Sequence, residues 1–130
     1  MTDPIADLLT QIRNAHLAHR PEVVLPHSSL KEQILKILRD EGWISGYEKS
    51  QTEKFPQLVI VLKYDETGQP MIKHIKRISM PSRRVYVDRR RLPIVLNNFG
   101  MAVVSTSRGL MTNRDARKKH LGGEVLFEIY

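Results

Sequence analysis

Apolar residues at helical spacing open the chain. Ile5, Leu8, Leu9 and Ile12 recur every three or four positions, and His16 falls on the edge of the same stripe. Asp3 is placed to cap this helix, Pro4 suits its first turn, and Pro21 stops it. Residues 22–26 read as a short strand closed by Pro26. A second helix begins at Ser28 or Ser29. Ser29 with Glu32 fits a reciprocal capping box, and Leu30, Ile34, Ile37 and Leu38 make the buried face. Lys31, Lys36 and Arg39 are expected on its exposed side. Gly42 ends the helix, and Trp43-Ile44 returns the chain to the core. Strands are predicted over 44–49 and 57–64, joined by a polar loop. Within the second, residues 58–62 form an unbroken apolar run, as expected of a strand covered on both faces.

The pattern changes after residues 65–70, a stretch of turn formers that makes the best linker candidate. Strands are predicted over 72–78 and 84–87, around a Pro81-Ser82 turn. Residues 92–100 suggest a short helix, with Pro93 near its start and Gly100 at its end. Met101 to Val104 are four apolar residues in a row, the mark of a buried strand. Thr112 and Asp115 resemble a capping pair opening another turn of helix. Gly122-Gly123 bends the chain into a last strand over 124–130, with Val125, Phe127 and Ile129 on one face. These elements predict an α+β fold of two small lobes. Residues 1–66 form a helix-strand-helix-strand-strand unit, and residues 67–130 a mostly β unit with short helices.

Charge separates the two halves. Residues 1–70 hold 8 Lys/Arg and 10 Asp/Glu, a net of −2, whereas residues 71–130 hold 13 and 4, a net of +9. Such segregation points to a polyanionic partner for the second half. Nine of its 13 cations are arginine, which favours forked phosphate and base contacts. Arg83, Arg84, Arg89 and Arg117 are candidate phosphate ligands. Tyr86 lies among them, where its ring either stacks on a base or, as most strand tyrosines do, packs half-buried. Cysteine is absent, which excludes disulfides and thiolate metal sites and suits a reducing, cytoplasmic interior. No run is long and apolar enough for a membrane span, and the opening Met-Thr-Asp-Pro is not a signal peptide.

Candidate chemistry gathers after the apolar strand. Ser105, Thr106 and Ser107 precede Arg108 and Gly109. Hydroxyls donate and accept, so this tip can pair with bases, sugars or phosphates, or can cap its own turn. Glu124 is an acid in a strongly basic lobe, either neutralising a neighbour or accepting from an RNA group. The five histidines lack metal-ligand spacing, no phosphate-cradling glycine loop occurs, and Ser105 and Ser107 carry no activating motif, so no cofactor and no enzymatic activity are expected. A DNA-binding module is the rival reading, without a helix-turn-helix signature to support it.

At Val103-Val-Ser-Thr-Ser-Arg-Gly-Leu-Met-Thr112 the sequence closely resembles the bacterial small-subunit ribosomal protein eight family. Asp3-Pro4-Ile-Ala-Asp-Leu-Leu-Thr, Ile12-Arg-Asn-Ala15, Glu41-Gly42-Trp43-Ile44 and Gly122-Gly123-Glu124-Val125 extend the likeness over nearly the whole chain. The resemblance implies binding to the central domain of 16S rRNA, early in subunit assembly, and in some members repression of the operon mRNA. It assigns RNA contact to Ser105, Thr106, Ser107, Arg108, Gly123 and Glu124, and implies ribosomal proteins five and twelve as neighbours. The sequence departs from the family at Ser79-Met80-Pro81-Ser82-Arg83-Arg84, where the family usually reads Ser-Arg-Pro-Gly-Leu-Arg. Arg108 stands where the family usually has Lys.

Overall fold

In the computed structural model, which describes residues 3–51 and 54–130, the opening stripe becomes helix α1, Pro4–Leu17. Ile5, Leu8, Leu9, Ile12, Ala15 and His16 are its buried residues. Strand β1, Glu22–Pro26, has the predicted bounds. Helix α2 covers Ser29–Asp40, and its cap is Ser28. The Ser28 backbone is extended, and its hydroxyl accepts from the Lys31 N–H at 3.1 Å. Ser29 already lies in the helix, so the capping box read from the sequence does not form. Its glutamate, Glu32, instead meets the His27 ring at 2.7 Å. The buried face is also rotated. Leu35 and Lys31 are buried with Ile34 and Leu38, whereas Leu30 and Ile37 are half-buried. Lys31 survives burial because its stem packs as hydrocarbon while Nζ donates to the Pro26 carbonyl at 3.3 Å.

Strands β2, Gly46–Ser50, and β3, Gln57–Val61, complete an antiparallel sheet of order β1-β3-β2. Both are shorter than predicted, and the polar loop between them includes Thr52 and Glu53, which lie outside the described residues. The apolar run of β3 is covered on one face only. Leu58 and Ile60 are fully buried opposite Leu25 and Val23, while Val61 and Val24 are exposed. Both helices pack on the inward-facing rows, so alternation replaces the double-sided burial expected of the run. Residues 65–70 form a closed turn: Asp65 Oδ1 accepts from the N–H groups of Thr67 and Gln69 at 2.8 and 2.9 Å. These elements make up one compact unit, Pro4–Met71.

The second unit contains Asp3 and Ile72–Tyr130. Its strands are β4 (Ile75–Arg77), β5 (Tyr86–Val87), β6 (Met101–Thr106), β7 (Gly109–Thr112) and β8 (Gly123–Ile129). They form an antiparallel sheet of order β4-β8-β6-β7, with β5 pairing the same strand β8 further toward its start. Helix α3, Asn113–Lys118, follows β7. Its cap is Thr112, whose hydroxyl accepts from the Asp115 N–H at 3.1 Å, as the Thr112/Asp115 pairing predicts. The register of β6 against β8 slips between Val103↔Phe127 and Val104↔Val125, leaving Leu126 as an extra residue in β8. This bulge puts Val125, Leu126 and Phe127 all into buried positions, where strict alternation would have exposed one. Leu92, Val104, Met111 and Ala116 form one core cluster, and Val95, Ala102 and Val125 another.

The helix expected over 92–100 does not form. A single 3-10 turn, Leu96–Asn98, replaces it, with φ of 43°, 51° and 72° at Leu96, Asn97 and Asn98. The segment is held from outside: buried Asn113 donates to the Pro93 carbonyl at 2.9 Å and accepts from the Ala102 N–H at 3.1 Å. A tertiary bond from α3 thus overrides the local signal of Pro93 and Gly100.

The cap assignment is directly testable. Ser28→Ala should lower the unfolding free energy by about 1 kcal/mol in urea titrations, and Ser29→Ala by clearly less. Equal losses would return the cap to Ser29.

Candidate nucleic-acid interface

The register of the second sheet lines up the candidate residues. Tyr86 on β5 pairs with Glu124 on β8, Glu124 with Ser105 on β6, and Ser105 with Leu110 on β7. Paired residues of antiparallel strands share a face, so these four side chains form one row across the sheet. Tyr86, expected to pack, is instead displayed with 69% of its surface exposed. Gly123 is what lets the row close up. A Cβ at this position would lie 2.1 Å from the Ser105 carbonyl oxygen. Its contribution to the row is backbone proximity, not a side chain.

The hydroxyl tip divides into two roles. Thr106 Oγ1 accepts from the Arg108 N–H at 3.1 Å and donates to the Gly109 carbonyl at 2.9 Å. It caps the turn, and Gly109 accommodates a φ of 102° at its exit. The hydroxyls of Ser105 and Ser107 have no hydrogen-bond partner among the described residues; Ser105 is half-buried and Ser107 exposed. The turn-capping reading therefore holds for one residue of the three. Thr106 is structural, and its two neighbours keep free hydroxyls.

Glu124 is tied inward. Its Oε2 accepts from the Ser79 hydroxyl and from Arg84 NH1, the latter at 3.1 Å. The Ser79 hydroxyl accepts in turn from the Val85 N–H at 3.2 Å, fixing the chain between β4 and β5. Ser79 is fully buried, and it is the residue sequence reasoning missed. Its partner lies 45 positions away, so no local pattern marks it. Among the candidate cations, Arg84 is thus paired with a carboxylate. Arg117 is half-buried, with NH2 donating to the Pro93 carbonyl at 3.3 Å. Arg83, Arg89 and Arg108 are exposed and have no ion-pair partner among the described residues. No described group of three His, Cys, Asp or Glu is gathered for a metal. No described helix is long and apolar enough to cross a membrane.

Comparison with known proteins shows the family of the chain. The family model described as ribosomal protein S8 matches residues 3–130. The chain belongs to the ribosomal protein S8 family. Among its relatives, the small ribosomal subunit protein uS8 of Acholeplasma laidlawii is 50% identical over 130 residues, covering 100% of this chain and 98% of that protein. The uS8 protein of Saccharopolyspora erythraea is 50% identical over 126 residues, 97% of this chain and 96% of its own. That of Novosphingobium aromaticivorans is 45% identical over 130 residues, 100% and 98%. The departure at Ser82 proves harmless to the turn. Met80 and Arg83 exchange backbone hydrogen bonds at 2.9 and 3.0 Å, and Ser82 does not adopt positive φ. The position does not require glycine here.

The division of the tip predicts opposite effects on stability. Thr106→Val removes both turn bonds and should cost about 1 kcal/mol, visible as a lower melting temperature. Ser107→Ala should leave melting unchanged. A large shift for Ser107→Ala would mean that its hydroxyl supports the turn.

Proposed function

We propose that this chain, a structural constituent of the small ribosomal subunit, binds the central domain of 16S rRNA through the Tyr86–Glu124–Ser105 row and the adjoining Ser107 tip. The coarse part of that statement rests on the family and on relatives named as small ribosomal subunit proteins. The observation that carries the finer part is the pair of unpartnered hydroxyls, Ser105 and Ser107, beside an exposed tyrosine and uncompensated arginines. A regular A-form helix hides its base edges in a narrow major groove, so this surface suits irregular RNA with unstacked bases. Tyr86 offers a stacking face, and the hydroxyls read base edges or sugars. Arg83, Arg89 and Arg108 supply salt-sensitive phosphate contacts that carry no sequence information.

Glu124 Oε1 has no hydrogen-bond partner among the described residues while Oε2 is held, so the carboxylate can accept from an RNA amino group without losing its structural contacts. The same surface would bind an operon mRNA that mimics the rRNA site, giving translational repression. Early binding supports assembly by organising the central domain before later proteins arrive, with ribosomal proteins five and twelve as neighbours. The role is architectural and not catalytic.

Two variants separate reading from attraction. Ser107→Ala should weaken binding to a central-domain transcript by about 5- to 150-fold, the cost of leaving its RNA partner unpaired at roughly 1–3 kcal/mol, with scrambled RNA unaffected. Arg89→Ala should weaken both RNAs alike and flatten the slope of affinity against salt by about one unit. Filter binding at several salt concentrations measures both. Equal losses on the two RNAs for Ser107→Ala would refute specific recognition by the tip.

A further inference from the structure

In the Pro4–Met71 unit, both helices lie against the inward rows of the sheet, and the opposite face is open. Arg39 of α2 stands over the Tyr47 ring at 5.2 Å, so β2 turns Tyr47 toward the helices and Glu48 away from them. Register then sets two rows side by side on the outward face. Glu22, Val61 and Gly46 make one row, and Val24, Val59 and Glu48 make the next. Val24 and Val61 are 52% and 39% exposed, and half-buried Val59 adjoins both. Gly46 leaves the corner beside Val61 open, since a Cβ there would meet nothing within 4 Å. The three valines thus form a flat apolar patch with a notch on one side.

Acids stand at two opposite corners of this patch, Glu22 on one edge strand and Glu48 on the other. Both are exposed, and neither has an ion-pair partner among the described residues. Strands lie about 4.8 Å apart and rise about 3.3 Å per residue, which puts the two acids roughly 12 Å from each other across the valines. Lys63 follows β3 but does not neutralise them. Its Nζ lies by Gly42 instead, 3.9 Å from where a Cβ would sit. The charges within the two rows are therefore all negative, in the half of the chain whose net charge is −2. Such a face repels phosphate, which argues against a nucleic acid as its occupant. A polypeptide with cations on either side of an apolar residue complements it in both charge and polarity.

We propose that this face docks an extended basic segment of a partner protein. An apolar side chain of that segment sits over Val59 and Val61 beside Gly46, and a lysine or arginine meets each of Glu22 and Glu48. In an extended segment, residues four apart share a face and stand about 13 Å from each other. The spacing of the two acids therefore selects the pattern cation-x-apolar-x-cation, laid diagonally across the three strands. A contact of this size is weak alone. It gains strength where both proteins are already held in one particle, because the second attachment is then intramolecular. The inference does not use the RNA contacts given to Ser107 or Arg89.

The test uses the full chain and two synthetic peptides, Gly-Arg-Thr-Val-Thr-Arg-Gly and its counterpart with glutamate in place of both arginines. Each is titrated at low salt while amide chemical shifts of the labelled protein are followed. The arginine peptide should move amides of β1, β2 and β3, and the glutamate peptide should not. Glu48→Lys should weaken the arginine peptide by about 5- to 25-fold, through one attraction lost and one repulsion gained, and should admit the glutamate peptide. Val61→Thr keeps charge and branching, and should weaken the arginine peptide by about three- to fivefold. All these positions are exposed, so unchanged melting curves are expected and verify the fold. Affinity for a central-domain transcript should stay within twofold in Val61→Thr. If millimolar arginine peptide moves none of these amides, or if Glu48→Lys leaves its affinity unchanged, the proposal is overturned. The same holds if Val61→Thr weakens the transcript equally, which would assign the face to RNA. A dimer in sedimentation that Val61→Thr abolishes would assign it to a second copy of the chain, and also overturns the proposal.

Discussion

The close approach of β8 to β6 at Gly123 is the constraint on which the C-terminal sheet depends. With a side chain at 123, the carbonyl of Ser105 would have to move, and with it the hydroxyl tip. Gly122 plays the same part against β5, since a Cβ there would lie 2.5 Å from the Val87 carbonyl. The two glycines therefore pull β5, β8 and β6 together at one level. That is why Tyr86, Glu124 and Ser105, from three distant parts of the chain, end in a single row.

Electrostatics finish what the backbone begins. A lobe with a net charge of +9 gains from an internal acid, and Glu124 provides it where β4, β5 and β8 meet. The arginines divide according to what holds them. Arg84 is paired with that acid, Arg114 and Arg117 are oriented by carbonyls, and Arg83, Arg89 and Arg108 reach solvent without a partner. Carbonyl-held arginines keep their full charge but lose conformational freedom in advance, which reduces the entropic cost of engaging a ligand. The free ones contribute mainly to long-range attraction.

Much of this architecture was legible from residue pattern alone. The stripe of α1, the bounds of β1, the Thr112 cap and the α+β class follow from spacing and punctuation, because each depends on neighbours a few positions apart. What escaped depends on tertiary partners. Ser28 and Ser29 are chemically equal, and only the backbone at Ser28 decides the cap. Lys31 looks like a surface residue until the Pro26 carbonyl arrives to receive it. Residues 92–100 have helix punctuation, but Asn113 claims the Pro93 carbonyl. At the site, the tip and the basic flanks were readable as composition. The division of labour between Thr106 and its neighbours was not, nor was the bond from Ser79 to Glu124, which sequence distance conceals.

The wiring of the second sheet also governs when it can exist during synthesis. Among the described residues, three of its four strand pairings run through β8, and only the β6–β7 hairpin is local. A nascent chain that has not yet produced residues 123–129 cannot join β4, β5 and β6, whatever their intrinsic propensities. The Pro4–Met71 unit, by contrast, is continuous in sequence and can form as it emerges. Loop closure over some 50 residues then precedes the reward of pairing β4 with β8, a slow step for a chain this short. A prematurely terminated chain consequently presents no half-built version of the Tyr86–Glu124–Ser105 row, because its middle member is supplied last.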